Sequence, residues 1–503
     1  MEVFLKKFVK QCSRLADKGF KWIKNGVQVV SKAFVVCCSV DSAARPLLQN
    51  MIKFNGFFGC SWCLHPGVTV KGDVRYTVTS QVHEERKASS SIRCMYRAAA
   101  EHTISFGFKG PSALLNLPGF DVISSFVPDY LHCILLGVAR TMMKLWFDSK
   151  YSGEGFYIGA PAAVERVDSR IRQIKPPSAV GRYPRSVTER KLWKGQEFRS
   201  WLLYYSLPVL CGILPRQYLL HLSLLVRSLF LLLQDSLTYT DINTAQDLLT
   251  EFVVKYNMLY GDYNMVYNVH ILLHIPRAVA NWGPLWAHST FVFESFNGVF
   301  VKSVKGNRGV AEQVLQKAML RQSIYTYVQM KGTAPLKLYA SALKNLKKTS
   351  FALHISEATL LGRGLAPAFN MVEKSCIRAS TGAAARVLSV FSRMIYHGTV
   401  FHSTTYTRPK KTNDSVVRLS NGKYALIQAI FSYATPDQEK EVGLLVYEME
   451  AFESSVCSGS HMVRGQFTTL RMHPVSAICR KAIAVVIDGV SHVCHIPNQC
   501  EVN

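Results

Sequence analysis

Two short stretches carry residues able to hold a metal ion. FNGFFGCSWCLHPG, residues 54–67, places Cys60 and Cys63 in a CxxC turn, and NVHILLHIP places His270 and His274 four positions apart. Structural zinc takes four S or N donors in a tetrahedron, and each stretch supplies half of such a cage. On a helix, positions i and i+4 share a face, so both imidazoles can reach one ion. Together the four residues would close a zinc site. Taken singly, each pair is equally well read as core cysteines, or as histidines satisfied by backbone carbonyls. Two acids flank the pairs: Asp41 lies nineteen positions before Cys60, and Glu294 twenty positions after His274. An ion joining the pairs would draw these carboxylates towards each other, and paired carboxylates are what a divalent metal needs for phosphoryl chemistry.

The elements that must position these groups can be read from pattern. KAFVVCCSVD, residues 32–41, is short, β-branched and continuously apolar, which predicts a strand buried on both faces with Asp41 at its C-terminal end. In GPLWAHSTFVFESFNGVF a Gly283–Pro284 turn leads into a helix. Phe293, Phe296 and Phe300 mark one of its faces, with Glu294 and Asn297 on a neighbouring one. VPDYLHCILLGVARTMMKLW predicts a helix after Pro128, with Asp129 as its cap and His132 hydrogen-bonded.

Elsewhere, Phe4, Phe8, Val9, Cys12 and Leu15 predict a basic amphipathic helix at the start, and residues 82–112 a loop or surface helix. The arginines and lysines of 165–199, broken by prolines, offer a surface for phosphates or a solvated linker. Long helices are expected from about 197 to 280. WLLYYSLPVLCGILPRQYLLHLSLLVRSLFLLLQ is interrupted by Pro208, Pro215, Arg216, His221 and Arg227, which argues for buried helices rather than a membrane span. GVAEQVLQKAMLRQSIYTYVQM reads as another helix, and the last hundred residues as short strands forming a small all-β domain or barrel.

Composition narrows the partner. The 503 residues are 49% hydrophobic and 18% charged, as in a globular chain, with a formal net charge of +26. That excess favours a polyanion, because a cation placed on a phosphate releases condensed counterions. Thirteen cysteines, an odd number without a disulfide framework, suit a reducing cytosol or nucleus. MEVFLKKFVKQCSRL lacks the apolar run and cleavage site of a signal peptide.

The order Asp41, Cys60–Cys63, His270–His274, Glu294 resembles the DDE transposase core of the CACTA (En/Spm-like) family, in its animal transposon-derived branch. The same order recurs in Transib transposases and the related catalytic subunit of the V(D)J recombinase. CSVDSAARPLLQNMIKFNGFFGCSWC, VPDYLHCILLGVARTMMKLW and GPLWAHSTFVFESFNG carry the likeness, over roughly residues 30–330. It implies an α/β fold: an RNase H-like core with a long, mostly helical insertion, followed here by the C-terminal all-β domain. The corresponding divisions are a partial core at 1–80, the insertion at 81–265, the second half of the zinc site and the glutamate helix at 266–335, a basic mixed segment at 336–400 and the β-rich domain at 401–503. Asp41 matches the family's second acid and Glu294 its third; Cys60, Cys63, His270 and His274 match a structural zinc site. Asp129 and His132 match a stretch near the active site, and Asn297 sits beside Glu294. Mg²⁺ or Mn²⁺ on the acids would drive cleavage and transfer of double-stranded DNA, with two copies bridging two ends. The first acid is expected on a strand well before Asp41. Asp17, in a helical pattern, is a poor substitute, so the expectation is an N-terminally truncated or degenerate copy, or a mis-assigned gene start, poorly active or dead as it stands. A non-catalytic zinc-containing DNA-binding protein derived from a transposase is the alternative, and a zinc-stabilised protein-interaction module a third reading.

Overall fold

The computed structural model describes residues 2–337, 340, 351–382, 385–409, 411–452 and 461–501. Parts of the basic mixed segment expected at 336–400 (338–339, 341–350 and 383–384) lie outside the described residues. The chain mixes helix and strand and divides into two compact units. Residues 1–289, 451–465 and 483–503 form the first, and 290–450 with 466–482 the second.

The first unit opens with the expected helix, Glu2–Asp17, but the chain then turns into a hairpin, Phe20–Lys24 with Val27–Ser31. Val9 of the helix joins a core with Met51, Met95, Phe108, Leu114 and Phe126. The strand before Asp41 is shorter and less buried than its apolarity predicts. It spans Cys38–Val40, is half-buried, and pairs in parallel with Phe126–Pro128. Continuous apolarity marks a two-sided strand only where helices cover both faces of a sheet, and here the sheet has two strands. Helix Ala88–Ala100 lies on the surface stretch, as expected. After Pro128 the chain makes a wide π-type run, Leu131–Ala139, which continues as the helix Arg140–Phe147. Two long helices, Arg216–Leu232 and Tyr239–Tyr260, pack together, with His221 stacked on Phe252 at 4.2 Å. No described helix is long and apolar enough to cross a membrane.

In the second unit, helices Phe291–Ser303 and Val310–Lys331 follow one another, and neither buries a residue. Of the phenylalanines that mark one face of the first helix, Phe293 and Phe296 are exposed. A four-stranded antiparallel sheet runs in the order Thr399–His402, Arg393–Tyr396, Ala358–Leu361, Ala352–Ile355. The C-terminal strands form the expected all-β barrel. Closure comes from Val416–Leu419, which pairs with both Tyr424–Ala434 and Ile478–Ile487. Register shifts at Arg418/Leu419 and Ile427/Ala429 supply the extra bend a closing sheet needs. Val417, Ile427, Ile430, Leu444 and Val446 fill its interior.

Candidate metal centre and the neighbouring cleft

The CxxC turn is shaped by its own backbone. Gly59 must be glycine, because a Cβ there would lie 2.6 Å from the Lys53 carbonyl oxygen and 2.8 Å from the Tyr76 hydroxyl. The segment after the turn is clamped by residues 84–86: Leu64 N donates to Glu84 O, and Arg86 N to Trp62 O, both at 2.8 Å. His270 ends the short helix Tyr267–His270, and His274 ends the 3₁₀ turn Ile271–His274 that follows it. Both rings therefore project from one continuous helical run.

These distant segments meet. Cys63 Sγ lies 3.3 Å from His270 Nε2, Cys60 Sγ 3.5 Å from His274 Nε2, and the two Nε2 atoms are 3.4 Å apart. All four residues are buried, and their ligand atoms lie within 4.8 Å of one another. Ligands roughly 2.3 Å (S) and 2.0 Å (N) from a zinc ion stand about 3.3–3.8 Å apart along the edges of a tetrahedron. The donor set and its spacing fit zinc, with no position left for substrate. This agrees with a structural rather than a catalytic ion.

Protonation favours loading. Burial pushes the Cys60 thiol up, but the hydrogen bond from Cys63 and the adjacent His274 and His270 carry it well below the usual thiol range. Cys63 is pushed up by that same hydrogen bond and by burial. Burial holds His270 below the ordinary histidine value, hence neutral and able to ligate. One thiolate is thus ready, and the second proton leaves as a cation takes its place. Around the ligands, the buried Arg86 donates to Cys60 O at 2.8 Å, and Tyr76 stacks on His270 at 4.9 Å. Arg45 is also buried. Its guanidinium lies over Trp62 at 4.4 Å and donates to Tyr267 OH at 2.8 Å, tying the cysteine turn to the histidine run. Nothing in ARPLLQN marks Arg45 as a core residue, and only the fold reveals it.

Asp41 follows its strand directly, as expected, but its Oδ1 accepts from the backbone N–H of Ala43 at 3.0 Å and of Ala44 at 2.6 Å. It caps a turn. Asp129 directly follows the adjacent strand, whose last residue, Pro128, pairs with Val40. Asp129 Oδ2 accepts from His132 N at 3.0 Å and lies 2.6 Å from His132 Nδ1. The expected cap is present, and the carboxylate also orients the half-buried His132 ring. Asp41, Ser42, Asn55, His132, Tyr267 and Asn268 line a cleft of about 330 Å³. Gly137 lets the π run approach it, because a Cβ there would lie 2.5 Å from Asn268 Nδ2. Sequence patterns pointed to Asp129 and His132 but not to the pairing of the strands that Asp41 and Asp129 follow.

His288, six positions before Glu294, is anchored on the Asp41 strand: Ser39 Oγ donates to its carbonyl oxygen at 2.6 Å. Glu294 and Asn297 themselves lie in the second unit, exposed in the first two turns of helix Phe291–Ser303. Among the described residues, the cysteine–histidine set is the one cluster of three or more ligands close enough to share an ion.

No protein-family model matches the chain, and no curated protein sequence is significantly similar to it.

Proposed function

We propose that the chain is a transposase-type protein of the DDE class, built on an RNase H-like core and acting on double-stranded DNA in the nucleus. The observation that carries this reading is the meeting of Cys60 and Cys63 with His270 and His274, pairs separated by more than two hundred residues. This is the closure the resemblance implies, and chance pairs of core cysteines and histidines have no reason to converge. Two further features support it: Asp41 and Asp129 follow two adjacent parallel strands in register, and His288 returns to the Asp41 strand. Active sites of α/β sheets form at that strand edge.

Zinc would be held by Cys60, Cys63, His270 and His274, and would fasten the histidine run to the cysteine turn without entering the chemistry. A second reading is a DNA-binding protein descended from a transposase; it is favoured by Asp41 Oδ1, which caps the turn at Ala43 and Ala44. Mn²⁺-dependent nicking of supercoiled plasmid separates the two. Nicking that disappears in Glu294→Gln supports the enzyme. DNA binding at low salt without nicking, unchanged by that substitution, supports the second reading. Absence of DNA binding sinks both and leaves a zinc-stabilised interaction module.

A further inference from the structure

Between the cysteine turn and the helix Ala88–Ala100 lies an open groove of about 590 Å³, lined by Ile52, Phe57, Phe58, Arg97, Ile104 and Phe106 among others. It is separate from the Asp41 cleft. Phe57 and Phe106 are 54% and 48% exposed. The backbone holding them is unusual. Ser105 and Phe108 exchange both backbone hydrogen bonds, at 3.0 and 2.9 Å, so Phe106 and Gly107 form the centre of a two-residue turn. Both have positive φ, 45° and 88°. Such turns select Asn, Asp or Gly, and a bulky ring in this conformation is an outlier. Gly107 is pressed against the turn that leads to Cys60, since a Cβ there would lie 2.4 Å from Phe58 O. Phe58 also has a positive φ, 55°, and its ring meets that of Phe106 edge-on at 5.3 Å. Two large aromatics thus occupy left-handed backbone side by side, one half in solvent. Strain of this kind gathers where a side chain must be presented.

The segments that build the groove are cationic: Lys53, Arg93 and Lys109, which flank its lining residues in sequence, are exposed, and the acid among the lining residues, Glu101, is paired with Arg97 at 2.9 Å. An apolar peptide seated here would leave these cations without partners. A nucleic-acid strand answers both features, because every base offers a flat π face and every link a phosphate.

We propose that this groove holds unpaired bases of a DNA strand, stacked on Phe57 and Phe106, with the exposed cations of the flanking segments on its phosphates. The inference rests on the reading of the chain as DNA-acting. Fluorescence anisotropy of the full chain tests it with two probes, an oligothymidylate of about 12 nucleotides and a blunt duplex of the same length. Wild type binds both. Phe57→Ala weakens oligothymidylate binding about tenfold or more and leaves the duplex within about twofold, a stacking contribution of the usual size, and Phe57→Trp restores it. Phe106→Asn suits the turn better than the native residue, so it melts no lower than wild type and still loses the single strand. Unchanged oligothymidylate affinity in Phe57→Ala and Phe106→Asn overturns the proposal. So does a wild-type chain that binds only duplex, which leaves the DNA reading intact; failure to bind either probe ends both.

Discussion

Cys63 and His270 show what a single ligand does in a buried site. Cys63→Ser keeps the volume but removes the thiolate, leaving a hydroxyl among donors arranged for a cation. At free zinc a thousandfold above its Kd, a bound ion stabilises the folded state by about 4 kcal/mol. The variant, or wild type stripped with a chelator, should lose most of that. At roughly 1.5 °C per kcal/mol for a unit of this size, the melting point should fall by about 6 °C. Metal analysis should find zinc in wild type and not in Cys63→Ser, and an unchanged melting point on chelation would remove the ion from the fold. At this scale much of the site was legible: CxxC and HxxxH are spacings with a chemical reason. Asp41 was legible as a strand-end acid, but its capping bonds were not, because a carboxylate's partners depend on where Ala43 and Ala44 turn. Arg45 was invisible, since its charge is offset by an aromatic face and a hydroxyl that arrive from residues 62 and 267.

Helix and strand lengths follow from packing as much as from pattern. The helices Arg216–Leu232 and Tyr239–Tyr260 were readable from their apolar period; the short strand Cys38–Val40 and the exposed phenylalanines of Phe291–Ser303 were not, because burial is decided by what covers a face. The helix pair carries a pH sensitivity of its own. His221 is buried, stacks on Phe252, and approaches Phe252 O at 2.9 Å through Nε2. Burial lowers its pKa from 6.5 to about 4. The folded value lies below the unfolded one, so stability is full above pH 6.5 and is lost as pH falls from 6.5 towards 4, where the unfolded chain takes up the proton first. At about 1.4 kcal/mol per unit, His221 contributes at most about 3 kcal/mol to that loss. Thermal melts at pH 7.5 and 4.5 should differ less in His221→Phe than in wild type, and equal differences would place the sensitivity elsewhere.

For the whole molecule, charge is the dominant bulk property. A chain of net charge +26 that contacts about six phosphates should lose roughly a thousandfold in duplex affinity between 50 and 200 mM salt. A titration with a flat salt response would exclude a phosphate-led interface. Which cations take part is less simple than the sequence suggests. In the basic stretch 165–199, Arg185 is bound by Glu197 and Glu189, Arg172 by Glu165 and Arg190 by Asp148, while Arg170 donates to Val209 O and Cys211 O. Sequence counts these cations but cannot show that acids and carbonyls already occupy them. The cysteine–histidine clasp also has a bearing on synthesis. His274 stands 214 residues beyond Cys60, so at about 5–20 residues per second the first two sulfurs emerge from the ribosome some 10–40 s before their imidazole partners exist. During that interval the nascent chain must keep both thiols reduced and unclaimed. Its yield should therefore depend on how quickly translation carries it through the stretch between them.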